Sequence, residues 1–216
     1  MASSRSIGLI NEVIATYGTT GRDYTVMGTW EAATDTDHVA DNETDVLECY
    51  DDAASFDDNV NLNGSTNGPN NARIVRSASG EGHDGTSNNG FYLSSSGGTA
   101  TLYVQENYSS CQDIICTRTA NFHTCFVNNA TNVKYIGIIV FNSTPSHNSI
   151  KVQNAASTGI VIANCLVENE PREHFRMSAG SGFLYNCTSI DSGNAGVEIS
   201  AGATLVCKNV LSKGSG

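Results

Sequence analysis

The sequence predicts an all-β chain wound as a parallel β-solenoid behind an irregular N-terminal cap region. Three observations carry this. Asn, Ser, Thr and Gly make up 88 of the 216 residues, whereas Lys occurs four times and Met and Pro three times each. Such a composition favours short strands separated by tight turns over helices. Tripeptides recur in the second half of the chain at spacings of 22 to 25 residues. The recurring segments read apolar, charged, apolar, the period of a half-buried strand.

Residues 1–22 are expected to form an N-terminal arm or a short helix, because Ile7, Ile10, Val13, Ile14 and Tyr17 have roughly helical spacing. Residues 23–100 show no clean repeat and are read as an irregular, acidic, β-rich cap with the first coils. Trp30, the only tryptophan, is expected to plug the first coil. Between Asp35 and Asp58 stand ten acidic residues and no Lys or Arg. A solvated face is the ordinary meaning of such a run, with Asp35, Asp37, Asp41 and Asp45 as weak calcium candidates. His83-Asp84-Gly85 reads as a turn.

Residues 101–216 carry the repeat. Ser178-Ala179-Gly180 returns as Ser200-Ala201-Gly202, and Asn164-Cys165 as Asn186-Cys187. Ile150-Lys151-Val152, Phe175-Arg176-Met177 and Val197-Glu198-Ile199 align in the same frame. Alternation by two puts Lys151, Arg176 and Glu198 in a surface ladder and stacks Val152, Met177 and Ile199 in the core. A single unit cannot bury such a face, but stacked units share a continuous core. The second strand of each unit has two acceptable parities, an inward row of Val161, Phe183 and Leu205 or one of Ile162, Leu184 and Val206. Asn164 and Asn186 are expected at a bend where the amide stacks on the next coil, with Lys208 in the third place. No capping unit is visible after Leu205–Leu211. A β-sandwich competes with the solenoid but leaves the Ser-Ala-Gly recurrence unexplained.

Charge and cysteine usage exclude further classes. A net charge of −11 at pH 7 repels phosphate backbones, so no nucleic-acid partner is expected. No apolar run approaches the ~20 residues of a membrane span, and Asn11-Glu12 interrupts any secretory apolar segment. Synthesis in a host cytoplasm, without a signal peptide, is the expectation. The seven cysteines lack C-x-x-C spacing and are read as reduced, buried small hydrophobes. A metal site drawn from Cys111, Cys116, His123 and Cys125 matches no standard ligand pattern.

The Asp23-Tyr24-Thr25…Trp30-Glu31 opening, the His83-Asp84-Gly85-Thr86 turn and the Asn-rich coils resemble the right-handed parallel β-helix proteins of the pectate-lyase-like superfamily, above all those of tailed-phage and marine viral genomes. The resemblance implies a right-handed parallel β-helix, and polysaccharide lyase or hydrolase activity in many members. Cleavage of glycosidic bonds calls for two carboxylates some 5–10 Å apart, yet the stretch from Ile114 to Val167 contains no Asp or Glu. Glu168, Glu170, Arg172, Glu173 and His174 form the one charged loop expected to face outward, and they are the candidate site. No cofactor is implied. The expected function is a virion structural protein of a tailed phage, a capsid decoration or fibre component. Other virion proteins, copies of itself and a glycan are its expected partners. A depolymerase and a self-assembling extracellular filament are the alternatives.

Overall fold

The computed structural model describes residues 10–87, 89–119, 122–141 and 148–214. It is all-β, 45% strand and 6% helix, with parallel sheets stacked as a β-solenoid of about six turns. The chain opens with β1 (Asn11–Tyr17), α1 (Met27–Ala33), α2 (His38–Asp41), β2 (Glu43–Cys49) and β3 (Phe56–Asp57). Three-strand coils follow. They comprise β4 (Val60–Leu62), β5 (Arg73–Ser77) and β6 (Tyr92–Ser95), then β7 (Leu102–Val104), β8 (Ser110–Gln112) and β9 (Ile115–Arg118). The next two are β10 (Cys125–Asn128), β11 (Lys134–Ile136) and β12 (Ile139–Phe141), then β13 (Ile150–Gln153), β14 (Ile160–Ala163) and β15 (Leu166–Glu168). The last two are β16 (Phe175–Met177), β17 (Ser181–Tyr185) and β18 (Thr188–Ser192), then β19 (Val197–Ile199), β20 (Thr204–Lys208) and β21 (Leu211–Gly214).

Each strand pairs with its equivalent one coil away, giving an eight-stranded sheet from β1 to β20, a seven-stranded sheet from β3 to β21 and a six-stranded sheet from β4 to β19. Regular three-strand coils therefore begin near residue 60, inside the segment read as the cap with the first coils. In the six-stranded sheet Ile150, Phe175 and Val197 are register partners, as are Val152, Met177 and Ile199. Val152 and Met177 are buried, but Ile199 in the final coil is 47% exposed. Full burial of such a side chain stabilises by ~1.5–3 kcal/mol, so the middle coils carry much more of the core than the last.

Two corrections concern the strands. Residues 11–17 form β1, not a helix, and pair with β2 from Asn11↔Glu43 to Tyr17↔Cys49. Val13, Ile14, Thr16 and Tyr17 are β-branched or aromatic, and seven rungs of parallel pairing outweigh a helical spacing that leaves no face to bury. Ile7 lies outside the described residues. The parity of the second strand is settled by burial: Ile160, Ile162 and Leu184 face inward. Val161, Phe183 and Val206 share the outward row, and Cys207 rather than Val206 falls on Leu184. The turn after β19 is one residue longer than Ser178-Ala179-Gly180, which shifts the frame.

The corners explain the repeat. Gly180 and Gly202 have φ of 81° and 84°, a left-handed conformation that costs glycine nothing. A Cβ on Gly180 would lie 1.9 Å from the Ser157 carbonyl oxygen of the neighbouring coil. The Ser-Ala-Gly recurrence is thus a tight turn between two sheets. The preceding coil uses the longer turn at 154–159, and this difference makes the period drift. The opposite corner is a single left-handed residue, Asn164, Asn186 and Asn209 with φ of 56°, 51° and 54°.

At the N-terminal end α1 covers β4, with Met27 and Trp30 buried among the core residues. A buried ion pair ties this cap down. The Arg73 guanidinium donates to both Glu106 oxygens and, from Nη1, to the Glu31 carbonyl at 2.8 Å. At the other end of β2 and β5, the rings of Tyr17, Phe56 and Phe91 meet at centroid distances of 5.2 to 5.9 Å.

Candidate functional site

The solenoid's outer surface is set by the positions that alternate with the core. On the six-stranded sheet the central outward row is Asn61, Tyr103, Phe126, Lys151, Arg176 and Glu198. Its chemistry runs from an amide through two aromatic rings, an amine and a guanidinium to a carboxylate. Parallel rungs about 4.8 Å apart hold flat rings face to face. Tyr103 and Phe126 are accordingly stacked, with centroids 5.0 Å apart and planes 23° from parallel. Phe122 and His123 close over Phe126 at 5.6 and 5.0 Å. Lys151 Nζ is 5.7 Å from the Phe126 ring centroid, so the ring covers one side of the amine.

Lys151 Nζ lies 3.2 Å from His123 Nε2, and the Asn148 backbone N–H donates to His123 Nδ1 at 3.1 Å. Arg176, one rung along, pairs with Glu198 at 3.2 Å and reaches Glu173 at 3.7 Å. Burial pushes the Lys151 amine below its ordinary range, and Arg176 adds to this against the opposing pull of Glu173 and Glu198. Sequence reasoning placed Lys151, Arg176 and Glu198 in this row but missed His123, Phe126 and Tyr103 as their neighbours. The signal was available, since Phe126 and Tyr103 lie one and two repeats before Lys151.

The loop expected to face outward does so only in part. Glu170, Glu173 and His174 are buried, while Arg172 is exposed and Glu168 half-buried. The next coil's corner sits on this loop, since Gly193 approaches so closely that a Cβ there would lie 2.3 Å from the Pro171 carbonyl oxygen. His174 Nδ1 meets Ser189 Oγ at 2.8 Å, and burial holds its imidazole below the ordinary range. Glu173 accepts from the side-chain amides of Asn148 and Asn194. Burial pushes its carboxyl up, but hydrogen bonds and Arg176 outweigh this and hold it low. Glu168 accepts from Ser87 Oγ at 3.1 Å. Glu168, Glu173 and His174 are thus placed as ties between neighbouring segments of the column.

The acidic candidates are also dispersed. Asp37 caps α2 by accepting from Ala40 N–H at 3.0 Å, and Asp45 meets His38 Nε2 at 2.8 Å. Asp35 lies against Gly64, and Asp41 is exposed. Among the described residues no group of three or more His, Cys, Asp or Glu could hold a metal ion. Cys111, Cys116 and Cys125 point into the core, away from His123 on the outer face. In the His83 turn, Asp84 accepts from Thr86 and His83 meets the Gly137 carbonyl.

A second outer feature is a groove of about 450 Å³ on the eight-stranded sheet. Ile74 and Ile136 belong to its apolar lining, Ser110, Gln112 and Lys134 to its polar lining, and Tyr108 is part of its wall. Tyr108 has φ of 60° and donates its N–H to the Thr131 carbonyl at 2.8 Å. A bulky side chain in the left-handed region is held there by the adjoining coil at a cost of ~1–3 kcal/mol. Among the described residues Glu12 is the one carboxylate lining the groove. An aromatic wall, apolar patches and a few convergent amide, hydroxyl and amine groups suit reversible binding of a polar ligand, whereas hydrolysis of a glycosidic bond needs a second carboxylate.

No protein-family model, no curated protein and no solved structure matches this chain.

Proposed function

We propose that this chain is a virion structural protein of a tailed phage, a rigid β-solenoid that serves as decoration or fibre and displays binding surfaces. Its wider kin in this reading are the pectate-lyase-like β-helix proteins. The observation that carries it is the unbroken stacking of buried rows along the axis. Val60, Leu102, Cys125, Ile150 and Phe175 are successive register partners in one row, each at most 1% exposed. At about 4.8 Å per rung, six coils make a column of roughly 30 Å, each coil packed on the next. Such a column transmits load and spaces surfaces, the work of a shaft. The groove beside Tyr108, with its aromatic wall and convergent amide, hydroxyl and amine groups, supports glycan binding.

The partners in this reading are other virion proteins, further copies of the chain, and a glycan. The experiment is protein quantification in purified particles from a culture that produces the chain, alongside incubation with capsular polysaccharides. Stoichiometric copy number in particles and no release of unsaturated sugars are expected. Recovery only from the culture fluid, or release of cleaved sugar, overturns the reading.

A further inference from the structure

We propose that Lys151 is a nucleophilic amine, and that the outer face of the six-stranded sheet around it captures small hydroxyaldehydes, such as the open-chain form of a reducing sugar, as an imine. The geometry begins with His123. Because the Asn148 backbone N–H donates to Nδ1 at 3.1 Å, the lone pair sits on Nδ1 and the neutral ring carries its hydrogen on Nε2. That hydrogen faces Lys151 Nζ, 3.2 Å from Nε2. An ammonium has three hydrogens and no lone pair to receive it; a free amine does. The imidazole is fixed in this orientation by Phe122 and Phe126, whose ring centroids lie 5.2 and 5.0 Å from its own.

The groups facing Nζ favour the same form. Arg176 on β16 presents a like charge one rung away, and Phe126 on β10 covers the amine from the other side. Glu173 and Glu198 oppose this, but both are already engaged by Arg176. Among the described residues no carboxylate lies within ion-pair distance of Lys151. Half-buried lysines without a counter-ion are those that lose their proton readily and attack carbonyl carbon. Beside Lys151 the next outward row holds Asn128 and Gln153, register partners that offer amides to ligand hydroxyls. The step balances without a redox partner. Nitrogen attacks the carbonyl carbon, the C=O π pair moves to oxygen, and the carbinolamine loses water as the C=N bond forms.

The test needs no knowledge of a natural ligand. The intact protein is treated with limiting glycolaldehyde and cyanoborohydride, which traps the imine, between pH 6 and 9, and each lysine is followed by peptide mapping. Lys134, Lys208 and Lys213 are all exposed and act as internal comparators. Lys151 is expected to be labelled several-fold faster than all three at pH 7, with its rate levelling off at lower pH than theirs. The Lys151→Arg variant, checked for folding by circular dichroism, is expected to lose the fast phase alone. Labelling of Lys151 no faster than the comparators, or a fast phase that survives in Lys151→Arg, overturns the proposal. The outcome is independent of whether the chain is a virion component.

Discussion

Asn186 donates from its side-chain amide to Asn164 Oδ1 at 3.2 Å and accepts from Asn209 Nδ2 at 3.0 Å, so three coils are joined by one line of amides. All three asparagines hold left-handed backbone angles, and each bond runs from one rung to the next. The third member is Asn209, not Lys208, for the reason that also moves Cys207 onto Leu184: the last turn is one residue longer.

Replacing Asn186 tests both contributions separately. Asn186→Ala loses two exposed amide bonds and forces a Cβ-bearing residue without local hydrogen bonds into the left-handed region, a combined cost of ~1–2 kcal/mol. Asn186→Gly loses the bonds but keeps the backbone freedom and is expected to cost less. Urea denaturation of the two variants checks the order; equal losses would mean that the backbone angle contributes nothing.

The Arg73–Glu106 pair predicts an acid-sensitive cap. Burial pushes the Glu106 carboxyl up, but Arg73, Ser109 and Ser65 outweigh that and hold it below the usual carboxylate range. A depressed folded-state pKa contributes stability above the unfolded value, and that contribution is lost as pH falls through the folded one. Stability is therefore expected to decline on acidification below about pH 4.3, the ordinary Glu value. Glu106→Gln should flatten this part of the pH–stability curve. Arg73→Met leaves a buried carboxylate unpaired and is expected to cost ~3–5 kcal/mol at neutral pH.

Trp30 gives that cap an optical signal. It is 1% exposed on the inner face of α1, so native fluorescence is expected to be blue-shifted and poorly quenched by acrylamide. Trp30→Phe keeps most of the apolar volume, whereas Trp30→Ala is expected to cost ~3–5 kcal/mol through the cavity it opens. A native emission spectrum already like that of free tryptophan would place the indole outside the core.

Thiol chemistry separates the middle of the column from its last coil. Cys49, Cys111, Cys116, Cys125, Cys165 and Cys187 are buried, and Cys207 alone is exposed. Ellman's reagent is expected to titrate one thiol in the native protein and all seven after denaturation. Rapid reaction of two or more native thiols would contradict the burial of the corner pair Cys165 and Cys187.

How far the fold could be read from the sequence depended on where the repeat kept a constant frame. Ile150-Lys151-Val152, Phe175-Arg176-Met177 and Val197-Glu198-Ile199 have fixed alternation, and their register followed from spacing alone. The second strands could not be oriented, because Val161 and Ile162 or Phe183 and Leu184 are adjacent apolar residues with no polar partner to break the tie. Residues 11–17 misled for a different reason: their pairing partner, β2, lies beyond two helices, so nothing local revealed the strand. The charged loop at 168–174 misled because charge reads as exposure until the next coil is laid on it. His123 was visible only as a metal-ligand candidate among cysteines, since it meets Lys151 only when the coil of β13 is laid against that of β10.

One register row yields the sharpest contrast in stability. Val152, Met177 and Ile199 occupy equivalent positions in consecutive coils, yet Met177 is 1% exposed and Ile199 47% exposed. Were the row energetically uniform, truncation to alanine would cost the same at both ends. Burial decides otherwise: Met177→Ala is expected to cost ~2–5 kcal/mol, and Ile199→Ala under about 1 kcal/mol because half of that side chain already contacts solvent. Leu211 at 61% exposure extends the same gradient to another sheet. Opening should therefore start at the coil built from β19, β20 and β21 and reach β10 and β13 last. Native-state hydrogen exchange reads this directly, with amides of residues 204–208 exchanging well before those of 150–153. Equal protection in the two strands would show that some other contact covers the last coil.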